Sequence, residues 1–267
     1  MGRIDTIFNE LRSANRRALM PFVCAGHPRL DALPDVLLAL QDSGASIVEI
    51  GIPFSDPIAD GPVIAAAMHG AIHAGCTPAL VLDQIASIRD RLRIGLVGMV
   101  SISIMQRLAA GSSPALVLAR FRDAGFDGFI FPDLPLEESE GWRSAAAETG
   151  TTCSLLIAPT TPPERAARIA QASTGFLYLL ARSGITGERS EMPDLSGRIA
   201  ELRRASNLPI AVGFGIATPD HVRHVVQTAD AAIVGSALVR RLSAVPPDRS
   251  PAQVAGEFCR ELSAGLA

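Results

Sequence analysis

Lysine is absent from this sequence, and all 24 basic residues are arginine. The absence excludes enzymes that form a lysine imine, which include lysine-dependent aldolases and pyridoxal-phosphate enzymes. It also excludes a Walker-type nucleotide site, because that loop uses a lysine to reach the phosphates. Any catalysis by this chain must therefore depend on other side chains.

Aromatic residues make up only 4% of the chain, and no Cys-x-x-Cys pair occurs. The cysteines are scattered at Cys24, Cys76, Cys153 and Cys259. This distribution predicts reduced thiols and a cytoplasmic protein. No apolar run approaches the roughly 20 residues that cross a bilayer. Residues 1–12 have the pattern of an amphipathic helix rather than of a signal peptide.

The balance of charge is close to neutral, with a formal net charge of −3. Such a balance gives no basic footprint for nucleic acid or for an anionic membrane surface. Hydrophobic residues form 48% of the 267 positions, mostly as Ala, Val, Ile and Leu, which suits strands buried on both faces. We expect one domain over residues 1–267, without nucleic-acid or membrane partners.

Short apolar runs alternate with segments of helical periodicity along the whole chain. The predicted strands are residues 18–24, 47–51, 94–100, 128–131, 153–157, 175–180, 209–212 and 231–234. The predicted helices between them are residues 30–43, 78–91, 113–124, 137–149, 163–171, 194–205 and 219–227. Eight such units favour an α/β fold of the (β/α)8 TIM-barrel type. An open doubly wound sheet is the alternative, although no G-x-G-x-x-G follows the first strand.

Two extra helices and a closing helix are also predicted. They cover residues 3–14 before the first strand, 61–74 after the second strand, and 251–266 at the end of the chain. In a barrel of this type the functional groups follow the C-terminal ends of the strands. The residues at those positions are therefore the candidates for a site.

The most informative of these positions is the segment from Ile47 to Pro62, a strand that runs into an acidic loop with three prolines. Glu49 lies in an apolar run, where a carboxyl group has a raised pKa and can both donate and accept protons. A structural carboxylate paired with arginine is the alternative. Asp60 can accept a hydrogen bond from a substrate, or it can cap the helix of residues 61–74.

Two glycine turns follow the last two strands and indicate a phosphate site. The first is Gly213-Phe-Gly-Ile216, which leads to a helix with Thr218 as its predicted N-cap; the second is Gly235-Ser236. Backbone N–H groups at such turns and at helix N-termini bind anions. Ordinary tight turns are the alternative interpretation.

Residues 181–191 form a polar, glycine-bearing segment that is either a lid over a ligand or a solvent loop. Tyr178, the only tyrosine, precedes this segment on a strand, as a core residue or as part of a site. The pairs His69 with His73 and His221 with His224 have helical spacing but no evident third ligand. We therefore predict no metal site.

The segment Glu49-Ile-Gly-Ile-Pro-Phe-Ser-Asp-Pro-Ile-Ala-Asp-Gly-Pro62 resembles the signature of the tryptophan synthase alpha subunit family. The similarity extends over most of the chain, including the segments at 21–23, 131–138, 178–180, 182–187, 213–216 and 235–236. The resemblance implies a (β/α)8 barrel without a cofactor of its own. It implies retro-aldol cleavage of indole-3-glycerol phosphate to indole and glyceraldehyde 3-phosphate, a step in tryptophan biosynthesis. It also implies a pyridoxal-phosphate beta subunit as partner, in an αββα complex.

The same resemblance assigns roles to individual residues. Glu49 matches the catalytic glutamate that shuttles protons, and Asp60 matches the aspartate that bonds the indole N–H. The remaining matches are Phe22 near the indole ring, Tyr178 lining the site, and Gly187, Phe214, Gly215, Ile216, Gly235 and Ser236 around the phosphate. Thr186 is a further candidate for substrate binding. For that substrate, an indole ring protonated at C3 is the electron sink, so two carboxylates suffice without lysine.

Two departures from the family pattern bear on the partner rather than on the chemistry. His27 stands where the family usually has an acidic residue, and Met99-Val-Ser101 replaces a Tyr-x-Asn-Pro-like element. Two alternatives therefore remain beside a complexed alpha subunit: a stand-alone lyase that releases indole, and a non-catalytic allosteric partner of a beta subunit. A sugar-phosphate isomerase barrel would leave the segment from Glu49 to Pro62 without an explanation.

Overall fold

The computed structural model describes residues 2–57, 60–181, 193–213 and 215–267. Within these ranges, the strands are β1 (Ala18–Cys24), β2 (Ile47–Gly51), β3 (Gly95–Met99), β4 (Gly128–Ile130), β5 (Thr152–Ser154), β6 (Leu156–Ile157), β7 (Leu177–Leu180), β8 (Ile210–Gly213) and β9 (Ala231–Val234). The α-helices are α1 (Arg3–Ser13), α2 (Leu33–Asp42), α3 (Pro62–His73), α4 (Pro78–Ala86), α5 (Ile102–Leu108), α6 (Pro114–Ala124), α7 (Glu140–Thr149), α8 (Pro163–Ala172), α9 (Ser196–Ala205), α10 (Pro219–Val226), α11 (Ser236–Ser243) and α12 (Pro251–Ser263). Short 3-10 helices cover Arg89–Arg91, Leu136–Glu138 and Ala264–Leu266.

The strands pair in parallel in the order β5-β4-β3-β2-β1-β9-β8-β7-β6. β5 pairs with β4, whereas β6, one residue further along the chain, pairs with β7. These two short strands are consecutive pieces of the fifth barrel strand, so the sheet closes on itself through residues 152–157. The predicted (β/α)8 barrel is confirmed, together with the additional helices α1 and α3.

The structure corrects the sequence prediction at three places. The expected strand at 153–157 is two short strands, and the helix expected over 78–91 ends at Ala86, before a separate 3-10 turn. One helix was not predicted, α5. It begins three residues after the end of β3 and spans only seven residues, too few for a helical repeat to show in the sequence.

Alternation along the strands decides which side chains enter the barrel. In β1, Met20 and Phe22 face the interior, while Leu19 and Val23 lie in the apolar layer between the strands and the helices. Successive strand residues point to opposite faces, so Glu49 in β2 faces inward with Ile47.

The N-terminal end of the barrel is closed by α1. Ile4 and Phe8 of this helix are buried in the interior cluster, and the ring of Phe8 lies 5.9 Å from that of Phe176. The opposite, C-terminal end carries the candidate site. Among the described residues, no single helix is long and apolar enough to cross a membrane; α3 and α4 meet that test only jointly, across a 91° bend.

Candidate active site

Glu49 lies in the middle of β2, in register with Phe22 of β1 on one side and Val97 of β3 on the other. The residue is completely buried, and neither carboxylate oxygen has a hydrogen-bond partner among the described residues. Burial raises the pKa of the Glu49 carboxyl well above its ordinary value, because the charged form loses its hydration. Within the described part of the chain, no arginine pairs with it, so the structural-carboxylate alternative is disfavoured.

Asp60 is the second carboxylate, at the end of the loop that follows β2. Its backbone N–H donates to the carbonyl of Pro57 at 3.0 Å. Burial raises the pKa of the Asp60 carboxyl from 3.8 to about 6. The alternative role as a helix cap is wrong, because α3 begins at Pro62 with Gly61 in the N-cap position.

Tyr178 is buried in the barrel interior on β7. Its pKa is raised first by burial and then by the negative charges of Glu49 and Asp60. Because charge interactions of this kind fall off with distance, the three side chains share one region of the interior. Of the two interpretations left open for Tyr178, the structure favours a position in the site.

Two glycines make room for the aromatic side chains of this region. A Cβ atom placed on Gly213 would lie 2.6 Å from the Tyr178 hydroxyl, and one placed on Gly51 would lie 2.5 Å from the Phe22 ring. Both contacts are shorter than van der Waals distance, so only glycine permits these ring positions.

Phe22 connects the carboxylates with the second glycine turn. The ring is buried in a small apolar cluster with Ile64 and Met68 of α3. A Cβ atom on Gly235 would lie 3.8 Å from the Cβ of Phe22 and 3.7 Å from the Cδ1 of Ile64. The aromatic wall and the turn before α11 are therefore adjacent.

The residues predicted around a phosphate occupy two consecutive strand-to-helix connections. Gly215 has a left-handed backbone with φ +86°, and Thr218 caps α10 by accepting from the His221 N–H at 3.2 Å. Ser236 is buried as the first residue of α11, directly after Gly235. Backbone N–H groups at such a helix start are donors for an anion.

Ile216 departs from the expected pattern, because its side chain is buried in the layer between the strands and the helices. Only its backbone can face a ligand. The other predicted positions, Thr186, Gly187, Phe214 and the lid at 181–191 beyond its first residue, lie outside the described residues. Their assignment stays a prediction.

A cavity of about 160 Å³ opens beside Asp60. Its wall is mainly apolar and includes Phe54, Met68 and Met99, with Asp133 on the far side. Asp133 accepts from the Ser101 hydroxyl at 2.6 Å and from the Ile102 N–H at 2.8 Å, so this carboxylate holds the start of α5. Sequence reasoning missed Phe54 and Met68; the spacing of Met68 four residues after Ile64 was the available signal.

A larger cavity, of about 350 Å³, lies on the outer side of α11 and is lined by three arginines. Two of them, Arg241 and Arg249, form ion pairs with Glu261 and Glu257 of α12. The cavity is therefore separate from the carboxylates of the barrel interior. Among the described residues, no group of three His, Cys, Asp or Glu side chains is arranged to hold a metal ion.

A completely buried glutamate and a partly buried aspartate in a (β/α)8 barrel, next to glycine turns of the kind that bind anions, place this chain in the class of (β/α)8-barrel enzymes. The family model described as tryptophan synthase alpha chain matches residues 8–265. A tryptophan synthase alpha chain from Prochlorococcus marinus (strain MIT 9313) is 45% identical, with 97% of this chain and 93% of the relative covered. One from Synechococcus sp. (strain CC9902) is 46% identical, with 96% and 94% covered.

Solved structures agree with these relatives. Tryptophan synthase from M. tuberculosis, in its aminoacrylate-bound form, superimposes with a TM-score of 0.87 at 29% identity over 100% of both chains. Tryptophan synthase subunit alpha from Legionella pneumophila gives 0.87 at 31% identity, over 100% of this chain and 98% of the other. The chain belongs to the tryptophan synthase alpha chain family, and it is a lyase of tryptophan biosynthesis.

Asp60→Asn tests the environment of the second carboxylate through stability. A folded-state pKa above the unfolded value means that this group stabilises the fold only while protonated, so its contribution is lost as pH rises from 3.8 through about 6. The neutral amide escapes this loss. We expect the variant to exceed the wild type at pH 7 by at most about 3 kcal/mol in free energy of unfolding, and to match it near pH 4.

Urea unfolding between pH 4 and pH 7 measures this difference. Asp83→Asn, at an exposed position in α4, is the matched control and should follow the wild type at each pH. If the free energies of unfolding of Asp60→Asn and of the wild type differ by the same amount at every pH, the raised pKa of Asp60 is contradicted.

Proposed function

We propose that this chain cleaves indole-3-glycerol phosphate to indole and glyceraldehyde 3-phosphate, with Glu49 and Asp60 as its catalytic carboxylates. The observation that carries the proposal is Glu49: a completely buried carboxyl group in the barrel interior, without a hydrogen-bond partner among the described residues. Leaving a polar group in this state is costly, and such groups are concentrated at functional sites.

The two carboxyl groups have different roles in the reaction because their pKa values differ. Burial raises the pKa of Glu49 and so favours its protonated form, while Asp60, with a pKa of about 6, is largely ionised at neutral pH. Glu49 donates its proton to C3 of the indole ring, and the Asp60 carboxylate accepts a hydrogen bond from the ring N–H. The positive charge that develops on the ring nitrogen is then stabilised by Asp60.

The carbon–carbon bond breaks after this protonation. Ionised Glu49 accepts the proton of the side-chain hydroxyl next to the ring, and the hydroxyl oxygen becomes the carbonyl oxygen of glyceraldehyde 3-phosphate. The electron pair of the broken bond enters the protonated ring, which leaves as neutral indole. Glu49 is protonated again at the end, so one carboxyl group serves as acid and then as base.

Binding groups hold the substrate in this orientation. Phe22 and the apolar wall of the cavity beside Asp60 supply a surface for a flat aromatic ring. The turns at Gly215 and at Gly235-Ser236 supply backbone donors for the phosphate. Their adjacency to Phe22 supports a single substrate that spans both regions.

The family membership implies a beta subunit as partner, and we include the αββα complex with a pyridoxal-phosphate beta subunit in the proposal. One observation favours the alternative of a stand-alone lyase. His27 stands where the family usually has an acidic residue, and its Nε2 lies 3.1 Å from the Ser243 hydroxyl of α11. The Ser243 hydroxyl donates to the Val239 carbonyl, so the ring is the donor in this contact and is directed toward its own chain.

The cellular location belongs to the same proposal. The four cysteines are unpaired, and three of them are buried, which supports a cytoplasmic enzyme.

Glu49→Gln tests the catalytic assignment. The amide has nearly the same shape but cannot exchange a proton, so we expect indole formation from indole-3-glycerol phosphate to fall by at least about 100-fold. The fold should survive, since the substitution removes a buried ionisable group. Glu148→Gln, at an exposed position in α7, is the matched control and should retain wild-type turnover. Near-normal turnover by Glu49→Gln with an intact fold would refute the role.

The partner is tested by assaying the chain alone and with a tryptophan synthase beta subunit. If the complex forms, we expect the two chains to co-elute in size-exclusion chromatography and indole formation to increase on mixing. High activity of the chain alone, unchanged by the beta subunit, would instead establish the stand-alone lyase.

A further inference from the structure

His69 lies on the exposed side of α3, the helix that follows the acidic loop. Its Nε2 is 3.0 Å from the backbone carbonyl oxygen of Ser55 in that loop. A carbonyl oxygen can only accept, so the ring donates through its Nε2–H. The contact joins residues that are 14 positions apart in the chain.

Ser55 stands midway between the two catalytic carboxylates along the chain. The loop is held near its start by the Ile52 N–H, which donates to the Met99 carbonyl at 3.0 Å. It is held near its end by the turn between Asp60 and Pro57, also at 3.0 Å. Prolines restrict the backbone on both sides of Ser55, so one contact at this point constrains the rest of the described loop.

His73 provides a contrast on the same helix face, one turn further on. Its Nδ1 lies 2.8 Å from the backbone carbonyl of His69, a contact within α3. Both histidines are exposed, but the hydrogen bond of His73 is made within α3 and does not reach the acidic loop.

We propose that His69 is a positioning residue for the reaction: its hydrogen bond to Ser55 ties the acidic loop to α3 and keeps the Asp60 carboxylate at its partly buried position. The inference rests on the proposed function, in which Asp60 accepts the indole N–H. His69 itself does not contact the reacting atoms in this assignment. The Nε2–H of His69 is directed toward the loop, and His69 does not line the cavity beside Asp60.

Loss of the hydrogen bond from His69 to Ser55 should change the pKa of Asp60. Burial is what raises its pKa to about 6, so a loosened loop that admits water should lower the pKa toward 3.8. The titratable groups that face Asp60 come from several elements: Asp56 and Asp133 around the same cavity, and Cys24 and Tyr178 through their charge interactions with it. His69→Leu leaves all of these in place.

Three variants separate positioning from simple stabilisation. His69→Leu replaces the donor by an apolar side chain of similar bulk. His69→Gln keeps an N–H donor of similar reach. His73→Leu changes only the neighbouring histidine and leaves His69 in place. For each, kcat and KM of indole formation are measured across pH, together with Tm.

We expect kcat/KM of His69→Leu to fall roughly 2- to 10-fold at neutral pH, the equivalent of one ordinary hydrogen bond. The acid limb of its pH profile, which reports ionisation of Asp60, should move to lower pH. His69→Gln should restore both quantities, and His73→Leu should match the wild type. If His69 only stabilised the fold, His69→Leu would lower Tm but leave the acid limb of the pH profile where it is in the wild type.

The inference is overturned if His69→Leu keeps the wild-type profile, if it loses only Tm, or if His69→Gln fails to restore the profile. Failure of the proposed function is recognised separately, through Asp60→Asn. Wild-type indole formation by that variant would remove the role of Asp60 itself, whatever the histidine variants show.

Discussion

The site depends on one unfavourable placement, a carboxyl group in the interior of a parallel barrel that has no hydrogen-bond partner in the described parts of the chain. Glu49 is completely buried between β1 and β3, and burial raises its pKa well above the ordinary value. An isolated charge in such surroundings is costly, so burial favours the protonated form of the group. The (β/α)8 frame supplies enough apolar burial elsewhere to tolerate this cost, with α1 closing one end of the barrel.

The other groups of the site complement the Glu49 carboxyl group. Asp60 is less deeply buried and is ionised at neutral pH, so the two carboxylates differ in protonation because they differ in environment. Gly51 and Gly213 admit the rings of Phe22 and Tyr178. The missing lysine is consistent with this arrangement, because an indole ring can take up the electrons that an imine would otherwise accept.

The alternation of elements, the acidic loop and the glycine turns could be predicted from the sequence because each is a local signal. What failed depended on contacts between distant residues. The sequence predicts that all the apolar neighbours of Glu49 along the strand surround its carboxyl group. In the structure, Val48 and Ile50 point away from it into the layer between the strands and the helices. The ring space provided by Gly213 and the contact from His69 to Ser55 involve residues on different elements. The helix α5 is too short to show a repeat.

The central claim is that the Glu49 carboxyl is protonated at neutral pH in the folded protein. Carbon-13 NMR of protein labelled at the glutamate side-chain carboxyl, compared with Glu49→Gln to assign the resonance, measures this directly. We expect a Glu49 signal at the chemical shift of a protonated carboxyl at pH 7, and we expect it to titrate well above the range of the exposed glutamates. A Glu49 signal that is ionised at pH 7 and titrates with the exposed glutamates would contradict it.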